Sequence, residues 1–75
     1  MPSLLNWVPV RSGEDMNNVY NCFGYVYSGA LNAPTNNCGY FSFYGTEYAL
    51  QIAAKDTSIW IRAKVTDTWL AWKAL

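Results

Sequence analysis

The sequence predicts an all-β fold, a small antiparallel meander of about five strands. Three segments rich in aromatic and β-branched residues have the composition of a half-buried pleated surface: residues 25–27, 40–44 and 59–62. Turn-forming residues separate them, most densely in residues 28–37, which contain Gly, Asn, Pro and Thr. No segment shows sustained helical periodicity, so we expect at most one short helical turn, near residues 14–20.

The elements follow in order along one domain, with residues 1–13 as a lead-in and residues 14–75 as the folded unit. In the lead-in, Trp7-Val8-Pro9-Val10 predicts a short edge strand, because Pro9 lacks the N–H that a central strand needs. Ser12 is the predicted N-cap of the helical turn, with Asp15 three residues later. From Phe23 onward come strands, joined by the long loop and by shorter turns at Gly45-Thr46, Asp56-Thr57 and Thr66-Asp67.

Alternation in the later segments divides their residues between two faces. One apolar face consists of Tyr48, Leu50, Ile52 and Ala54, which alternate with Ala49, Gln51 and Ala53. In the next segment, Ile59, Ile61 and Ala63 likewise oppose Trp60, Arg62 and Lys64. Both segments therefore have the two-residue period of a strand.

Length and composition predict self-association. A chain of 75 residues buries only ~60% of the surface that its unfolded form exposes, so a lone core is marginal. Yet 52% of the residues are hydrophobic and 17% are aromatic, more than so small a core needs. The surplus indicates burial against another copy of the chain or presentation to a ligand, and we favour oligomerisation.

Charge and residue order argue against several functions. Five basic and five acidic residues give no net charge and no basic stripe, so nucleic-acid binding is not expected. No apolar run approaches the ~20 residues that span a bilayer, so we expect no membrane insertion. The first residues lack the cationic region and the apolar stretch of a signal peptide, which predicts assembly in a reducing cytoplasm.

Catalysis and metal binding are not predicted either. The chain has no histidine, so it can form neither a Ser-His-Asp nor a Cys-His arrangement, and no histidine can ligate a metal. The carboxylates of Glu47, Asp56 and Asp67 fall in predicted turns, not in a facing pair. We expect no enzyme activity, no cofactor and no metal ion.

Cys22 and Cys38 are predicted to be buried free thiols. If residues 23–28 and 38–44 form a hairpin, Cys22 lies at its open end and Cys38 at its loop end. A disulfide needs Cα atoms within ~7 Å, a distance that this pairing forbids.

The end of the chain and several earlier segments resemble phage tail-fibre tips and pyocin-knob domains. The strongest part is Ile59-Trp60-Ile61-Arg62 followed by Trp69-Leu70-Ala71-Trp72-Lys73, an aromatic-x-Arg strand and a final Trp-x-x-Trp-Lys strand. Upstream, Asp15-Met16-Asn17-Asn18-Val19, Gly24-Tyr25-Val26-Tyr27 with Asn32-Ala33-Pro34, Cys38-Gly39-Tyr40-Phe41 and Gln51-Ile52-Ala53 follow the family's order. The chain departs from it at Val65-Thr66-Asp67, where the family usually has an Asn-Gly turn.

The resemblance implies a homotrimeric knob at the tip of a phage or phage-like tail fibre, assembled in the bacterial host cytoplasm. Its partners would be a host surface glycan and the parent fibre or baseplate proteins. A purely structural knob that touches no receptor fits the same sequence. An enzyme fragment, such as an accessory domain of a glycan depolymerase, is disfavoured by the missing histidines and the scattered carboxylates.

Candidate glycan-binding residues follow from the expected path of the meander, which puts the loop of residues 29–37 and the turn of residues 55–58 together at the end away from the shaft. They are Asn32, Asn36, Asn37, Lys55, Asp56 and Thr57, although amide-rich loops are also ordinary turn chemistry. Tyr25 and Tyr27, on one face of their strand, could equally bind a sugar or pack. The family-pattern residues Trp60, Arg62, Trp69 and Trp72 are expected to be structural, with Arg62 along an aromatic face or paired with a carboxylate.

Overall fold

The computed structural model describes residues 6–45 and 48–75 and confirms a small all-β domain. Thr46 and Glu47, which belong to one predicted turn, lie outside the described residues. Seven strands and one 3₁₀ turn are present in the described part: β1 (Asn6–Trp7), η1 (Met16–Asn18), β2 (Cys22–Val26), β3 (Cys38–Tyr44), β4 (Tyr48–Lys55), β5 (Ser58–Val65), β6 (Thr68–Trp69) and β7 (Lys73–Ala74).

The four longer strands form the expected antiparallel meander, in the order β2-β3-β4-β5. Short strands add to both edges of this sheet: β1 pairs with β2, and β6 and β7 both pair with β5. The two hairpin turns after β4 and β5 each begin with a residue in the left-handed region, Asp56 (φ 56°) and Thr66 (φ 60°). Thr66, and not Val65, therefore has the positive φ in this turn.

The predicted final Trp-x-x-Trp-Lys strand is broken by a β-bulge. Lys64 pairs with Trp69, and Trp60 pairs with Ala74. The four-residue step from Trp60 to Lys64 on β5 therefore lies opposite a five-residue step from Trp69 to Ala74. In an unbroken strand, residues three apart point to opposite faces. Because the terminal segment has one extra residue between these pairs, Trp69 and Trp72 both point to the side of β5 on which Arg62 lies.

The edge strand predicted over residues 7–10 is confirmed in part: the strand is Asn6–Trp7, Val10 forms an isolated bridge to Val26, and both pairings are parallel to β2. The Val8 N–H donates to Phe23 O at 2.8 Å and the Val10 N–H to Tyr25 O at 2.9 Å, so the intervening Pro9 nitrogen faces away from the sheet. Val10 is 1% exposed and belongs to the core. This part of the predicted lead-in therefore packs within the sheet domain.

The short helical turn is present, but its predicted N-cap is wrong. The Asp15 carboxylate, not the Ser12 hydroxyl, accepts a hydrogen bond from the Asn17 N–H, at 2.8 Å. Ser12 instead lies in a preceding turn, in which the Glu14 N–H donates to Arg11 O and Gly13 has a φ of 84°. A glycine in this conformation ends any continuous helix from Ser12.

The core lies between one face of the sheet and the segment of residues 10–20 that crosses it. Its buried hydrophobic residues are Val10, Met16, Cys22, Val26, Cys38, Tyr40, Ala49 and Ala53. Three polar side chains, Ser42, Gln51 and Arg62, are buried on the same face. The Gln51 Nε2 donates to Met16 O at 2.6 Å, and the Ser42 hydroxyl donates to Val19 O at 2.7 Å. These donors are needed because the crossing segment has no strand partner there for its buried carbonyls.

Candidate functional site

The opposite face of the sheet, which we call the outer sheet face, is apolar across five strands. Its side chains are Trp7, Phe23, Tyr25, Phe41, Phe43, Tyr48, Leu50, Ile52, Ala54, Ile59, Ile61, Ala63 and Val65. They form a contiguous surface, since Phe41 pairs with both Phe23 and Ile52, and Ile52 pairs with Ile61. None of these residues is charged, although Lys73 faces Ile61 at the edge.

Exposure on the outer sheet face is high for such large side chains. Trp7 is 61% exposed, Tyr48 64% and Phe43 45%, and Phe23 and Phe41 in the middle of the face are both 38% exposed. Their rings contact one another, with Trp7 edge-on to Phe23 at 5.8 Å and Phe41 stacked on Phe43 at 4.7 Å. A patch of this size on a single chain marks an interaction surface.

The structure brings part of the predicted glycan site together at one end of the meander. The Lys55 ammonium donates to Asn36 O at 3.3 Å, which ties the long loop to the β4–β5 turn. Asn37 and Asp56 both adopt left-handed backbone conformations, with φ of 56°. Asn36, Asn37, Asp56 and Thr57 are exposed there. Turn geometry thus explains Asn37 and Asp56, and leaves the side chains of Asn36 and Thr57 presented to solvent.

Asn32 does not join this group. Its side-chain amide donates to the Asp15 carboxylate at 2.9 Å, and its backbone carbonyl accepts a hydrogen bond from the Trp72 indole at 2.8 Å. Asn32 therefore lies beside the C-terminal segment. Tyr25 and Tyr27 share one face as predicted and contact each other edge-on at 4.9 Å, and Tyr27 is 43% exposed.

A second candidate site surrounds Arg62, which has its guanidinium between two indole rings. The guanidinium carbon lies 4.2 Å from the Trp69 ring centroid and 4.7 Å from that of Trp72. Arg62 thus lies along aromatic faces, the first of its two predicted roles. Its Nε donates to the Gln51 side-chain oxygen at 2.8 Å, so the buried polar residues of the core hold one edge of the guanidinium in place.

Arg62 is a buried cation, only 6% exposed. Burial lowers the pKa of Arg62 to about 10, and the nearby groups of Asp15 and Tyr20 act in the opposite direction. The side chain is therefore still charged at neutral pH. One of its terminal nitrogens, Nη2, has no hydrogen-bond partner among the described residues.

A cleft of about 560 Å³ opens beside this arginine, and we call it the Arg62 cleft. It is lined by Asn17, Asn32, Ala33, Arg62, Trp69, Leu70, Ala71 and Trp72. Asn17 is one of the lining residues, and its side-chain oxygen is buried and, like Arg62 Nη2, finds no partner in the described part of the chain. Asn17 was not predicted as a site residue, because its position depends on how residues 10–20 cross the sheet.

Tyr20 and Trp60 are further aromatic side chains on the side of the sheet where Arg62 lies. Tyr20 stacks on Trp69 with ring centroids 6.3 Å apart, and the Lys64 ammonium donates to the Tyr20 hydroxyl at 2.8 Å. That hydrogen bond is the main reason why the pKa of Lys64 is raised. Trp60 is half-buried on the same side, paired with Ala53 and Ala74.

The prediction of two free, buried cysteines is confirmed. Cys22 pairs with Ser42 and Cys38 pairs with Val26, at opposite ends of the β2–β3 hairpin. The Cys22 sulfur lies 3.3 Å from the Tyr40 hydroxyl, and burial raises the pKa of the Cys38 thiol. Both thiols are therefore packing groups in this fold.

No protein-family model matches this chain, and no curated protein or solved structure is significantly similar to it. Residues 6–45 and 48–75 contain no cluster of three side chains able to hold a metal ion. In the same residues, no helix is long and apolar enough to cross a membrane.

Proposed function

We propose that this chain is the receptor-binding tip of a phage or phage-like tail fibre, a homotrimeric knob that attaches the particle to glycans on the host surface. The observation that carries the proposal is the outer sheet face, an uncharged aromatic surface on a domain with a small core. The order of short motifs that resembles tail-fibre tips supplies the biological class.

The outer sheet face is large enough for a stable contact between copies. Taking ~150–250 Å² for a whole large side chain, the exposed parts of the seven most exposed residues of this face amount to roughly 500–800 Å². A standard protein interface buries ~800 Å² on each partner. Because the face carries no charge of its own, one part of it can pack against a different part of the same face on a neighbouring copy without a desolvation penalty for ions. Three copies around one axis bury it in a closed assembly.

Such an assembly leaves the loop end free for attachment. The loop end presents Asn36 and Thr57 beside the Lys55 ammonium, and amide, hydroxyl and ammonium groups are those that bind sugar hydroxyls. Binding at one shallow site of this kind is expected to be millimolar to micromolar, ~4–8 kcal/mol. Three sites on each tip and several fibres on each particle raise the effective concentration enough to hold it.

The test begins with the mass of the chain in solution. Light scattering at micromolar concentration should give about three times the 8.5 kDa of one chain. Phe41→Lys places a charge in the middle of the outer sheet face and should dissociate the trimer. Ser58→Lys adds the same charge at an exposed position outside this face, and should leave the mass unchanged. A wild-type chain that is folded and monomeric would contradict the proposal.

A glycan array probed with the assembled trimer tests attachment. Binding to a defined class of bacterial surface glycan is expected. A purely structural knob would use the outer sheet face in the same way and bind no glycan, so a trimer that is silent on the array would favour that alternative.

A further inference from the structure

The Arg62 cleft contains two unsatisfied polar atoms of opposite character. Arg62 Nη2 is a charged donor, and the Asn17 side-chain oxygen is an acceptor. Leaving a buried polar group without a partner costs free energy, and more so when it is charged. Both residues line the same cleft, so one ligand can satisfy both atoms.

The two tryptophans restrict how Arg62 can bind a ligand. The guanidinium carbon lies over both the Trp69 and the Trp72 ring, and Gln51 accepts from the Arg62 Nε. The guanidinium nitrogen left without a partner is Nη2. In-plane N–H groups of arginine match the oxygens of a carboxylate in both geometry and charge.

The unsatisfied side-chain oxygen of Asn17 further limits the class of ligand that fits the cleft. A ligand that satisfies it must donate a hydrogen, which a hydroxyl does. Trp69, Leu70 and Trp72 give the cleft an apolar wall, which the C–H groups of a sugar ring can contact. The volume of the cleft is within the range of small-molecule sites.

We infer that the Arg62 cleft binds an acidic sugar, a pyranose whose carboxylate accepts from Arg62 Nη2 and whose hydroxyl donates to the Asn17 side-chain oxygen. The inference rests on the proposed function in naming the class of glycan that the fibre tip attaches to. A neutral sugar has no anion for the arginine.

Entry to the cleft requires a side-chain movement and not a change of fold. Both unsatisfied atoms are covered from solvent in the unliganded chain. The Trp72 indole donates to Asn32 O, contacts Arg62 and packs against the core. Side-chain rotamer changes at a binding site commonly accompany binding. Arg62 and the outer residues Ile61 and Ala63 alternate along β5, so the cleft opens on the side opposite to the outer sheet face and stays accessible in the trimer.

The experiment uses the indole N–H signals of the full-length chain in nuclear magnetic resonance. Titration with glucuronate or galacturonate should shift the signals of Trp69 and Trp72 in a saturable way, while the signal of Trp7 on the outer sheet face stays fixed. The neutral methyl ester of the same sugar should bind at least about tenfold more weakly, equivalent to ~1.4 kcal/mol.

A matched pair of variants at the rim avoids disturbing the core. Ala71 is exposed and lines the cleft. Ala71→Glu adds a negative charge there and should weaken uronate binding several-fold relative to Ala71→Gln, which has the same shape without the charge. Equal affinity of the two variants, equal affinity for the acid and its ester, or no shift of Trp69 and Trp72 would each overturn the inference.

The two proposals fail separately. A trimer that binds only neutral glycans, with the Trp69 and Trp72 signals unmoved, would overturn the acidic-sugar site and leave the fibre-tip function standing. A monomer that binds uronates at Trp69 and Trp72 would confirm the site and overturn the fibre-tip function.

Discussion

Gln51 joins the sheet to the segment that covers it. Its amide nitrogen donates to Met16 O at 2.6 Å and its oxygen accepts from Arg62 Nε at 2.8 Å. One fully buried side chain thus satisfies a backbone carbonyl that has no strand partner and also orients the cation of the Arg62 cleft. A buried polar side chain contributes most where its loss leaves several partners unsatisfied.

Gln51→Met is the substitution that tests this role, because it keeps the length of the side chain and removes all of its hydrogen bonds, including the weaker ones to Val19 O and the Ser42 hydroxyl. The free energy of unfolding should fall by about 2–4 kcal/mol, since a carbonyl and a charged donor are left unsatisfied. Denaturant unfolding at fixed protein concentration measures it. Ser12→Ala is the control. It should change stability by less than about 0.5 kcal/mol, whereas a loss near 1 kcal/mol would mean that Ser12 caps the helical turn after all.

At the scale of elements, the edge strand β1 depends on a close backbone approach at Gly24. A Cβ added there would collide with the backbone of Val8, whose carbonyl also accepts a hydrogen bond from the Tyr40 hydroxyl. Gly39, on the adjacent strand β3, has no atom closer than 3.9 Å to the corresponding position. The two glycines therefore differ in what a methyl group would meet, although they lie on neighbouring strands.

Gly24→Ala should detach β1 from the sheet, while Gly39→Ala should be tolerated. We expect Gly24→Ala to destabilise the domain by roughly 1–3 kcal/mol, the range for overpacking against backbone that must shift. Amide hydrogen exchange should show lost protection at Val8 and Val10, which donate to β2. Equal protection in the two variants would contradict the role assigned to Gly24.

Sequence periodicity predicted the strands but not which face of the sheet is buried. Residues 48–54 and 59–64 alternate as predicted, and the structure places Ala49, Gln51 and Ala53 inward, with Leu50 and Ile52 on the outer sheet face. A two-residue period separates the two faces of a strand, but it does not say which face packs against the crossing segment. The β-bulge was also not predictable, because it is defined by a count across two strands.

The sequence predicted the loop-end site better than the Arg62 cleft, because periodicity and strand order do not show how the crossing segment packs. Neighbouring loops at one end follow from the path of a meander, so Asn36 and Lys55 were correctly expected to lie together. The Arg62 cleft combines residues 17, 32, 62, 69 and 72, which come from four separate segments. Only the packing of the crossing segment brings Asn17 and Asn32 to the tryptophans.

For the whole molecule, attachment should depend on many weak contacts. Asn36→Ala removes an exposed side chain but keeps the backbone carbonyl that accepts from Lys55, so folding should be unchanged. If Asn36 binds glycan at the loop end, the isolated trimer should lose affinity only several-fold, whereas adsorption of a whole particle should fall by orders of magnitude because each site contributes to avidity. Adsorption assays with wild-type and variant fibres measure the effect. Normal adsorption of the variant would exclude Asn36 from the site.

The parallel pairing of β1 with β2 has a mechanical consequence for the fibre tip that we propose, which would be held at its N-terminal side and bound at its loop end. A load along the strands pulls β1 lengthwise against β2. The hydrogen bonds from the amides of Val8, Val10 and Tyr27 then share this load and must break together, whereas a strand pulled sideways would lose them one at a time. The domain should therefore resist a force along the strands far better than a force that peels β1 away sideways. When it is pulled through residue 6, β1 should separate only at the force that breaks all of these hydrogen bonds at once.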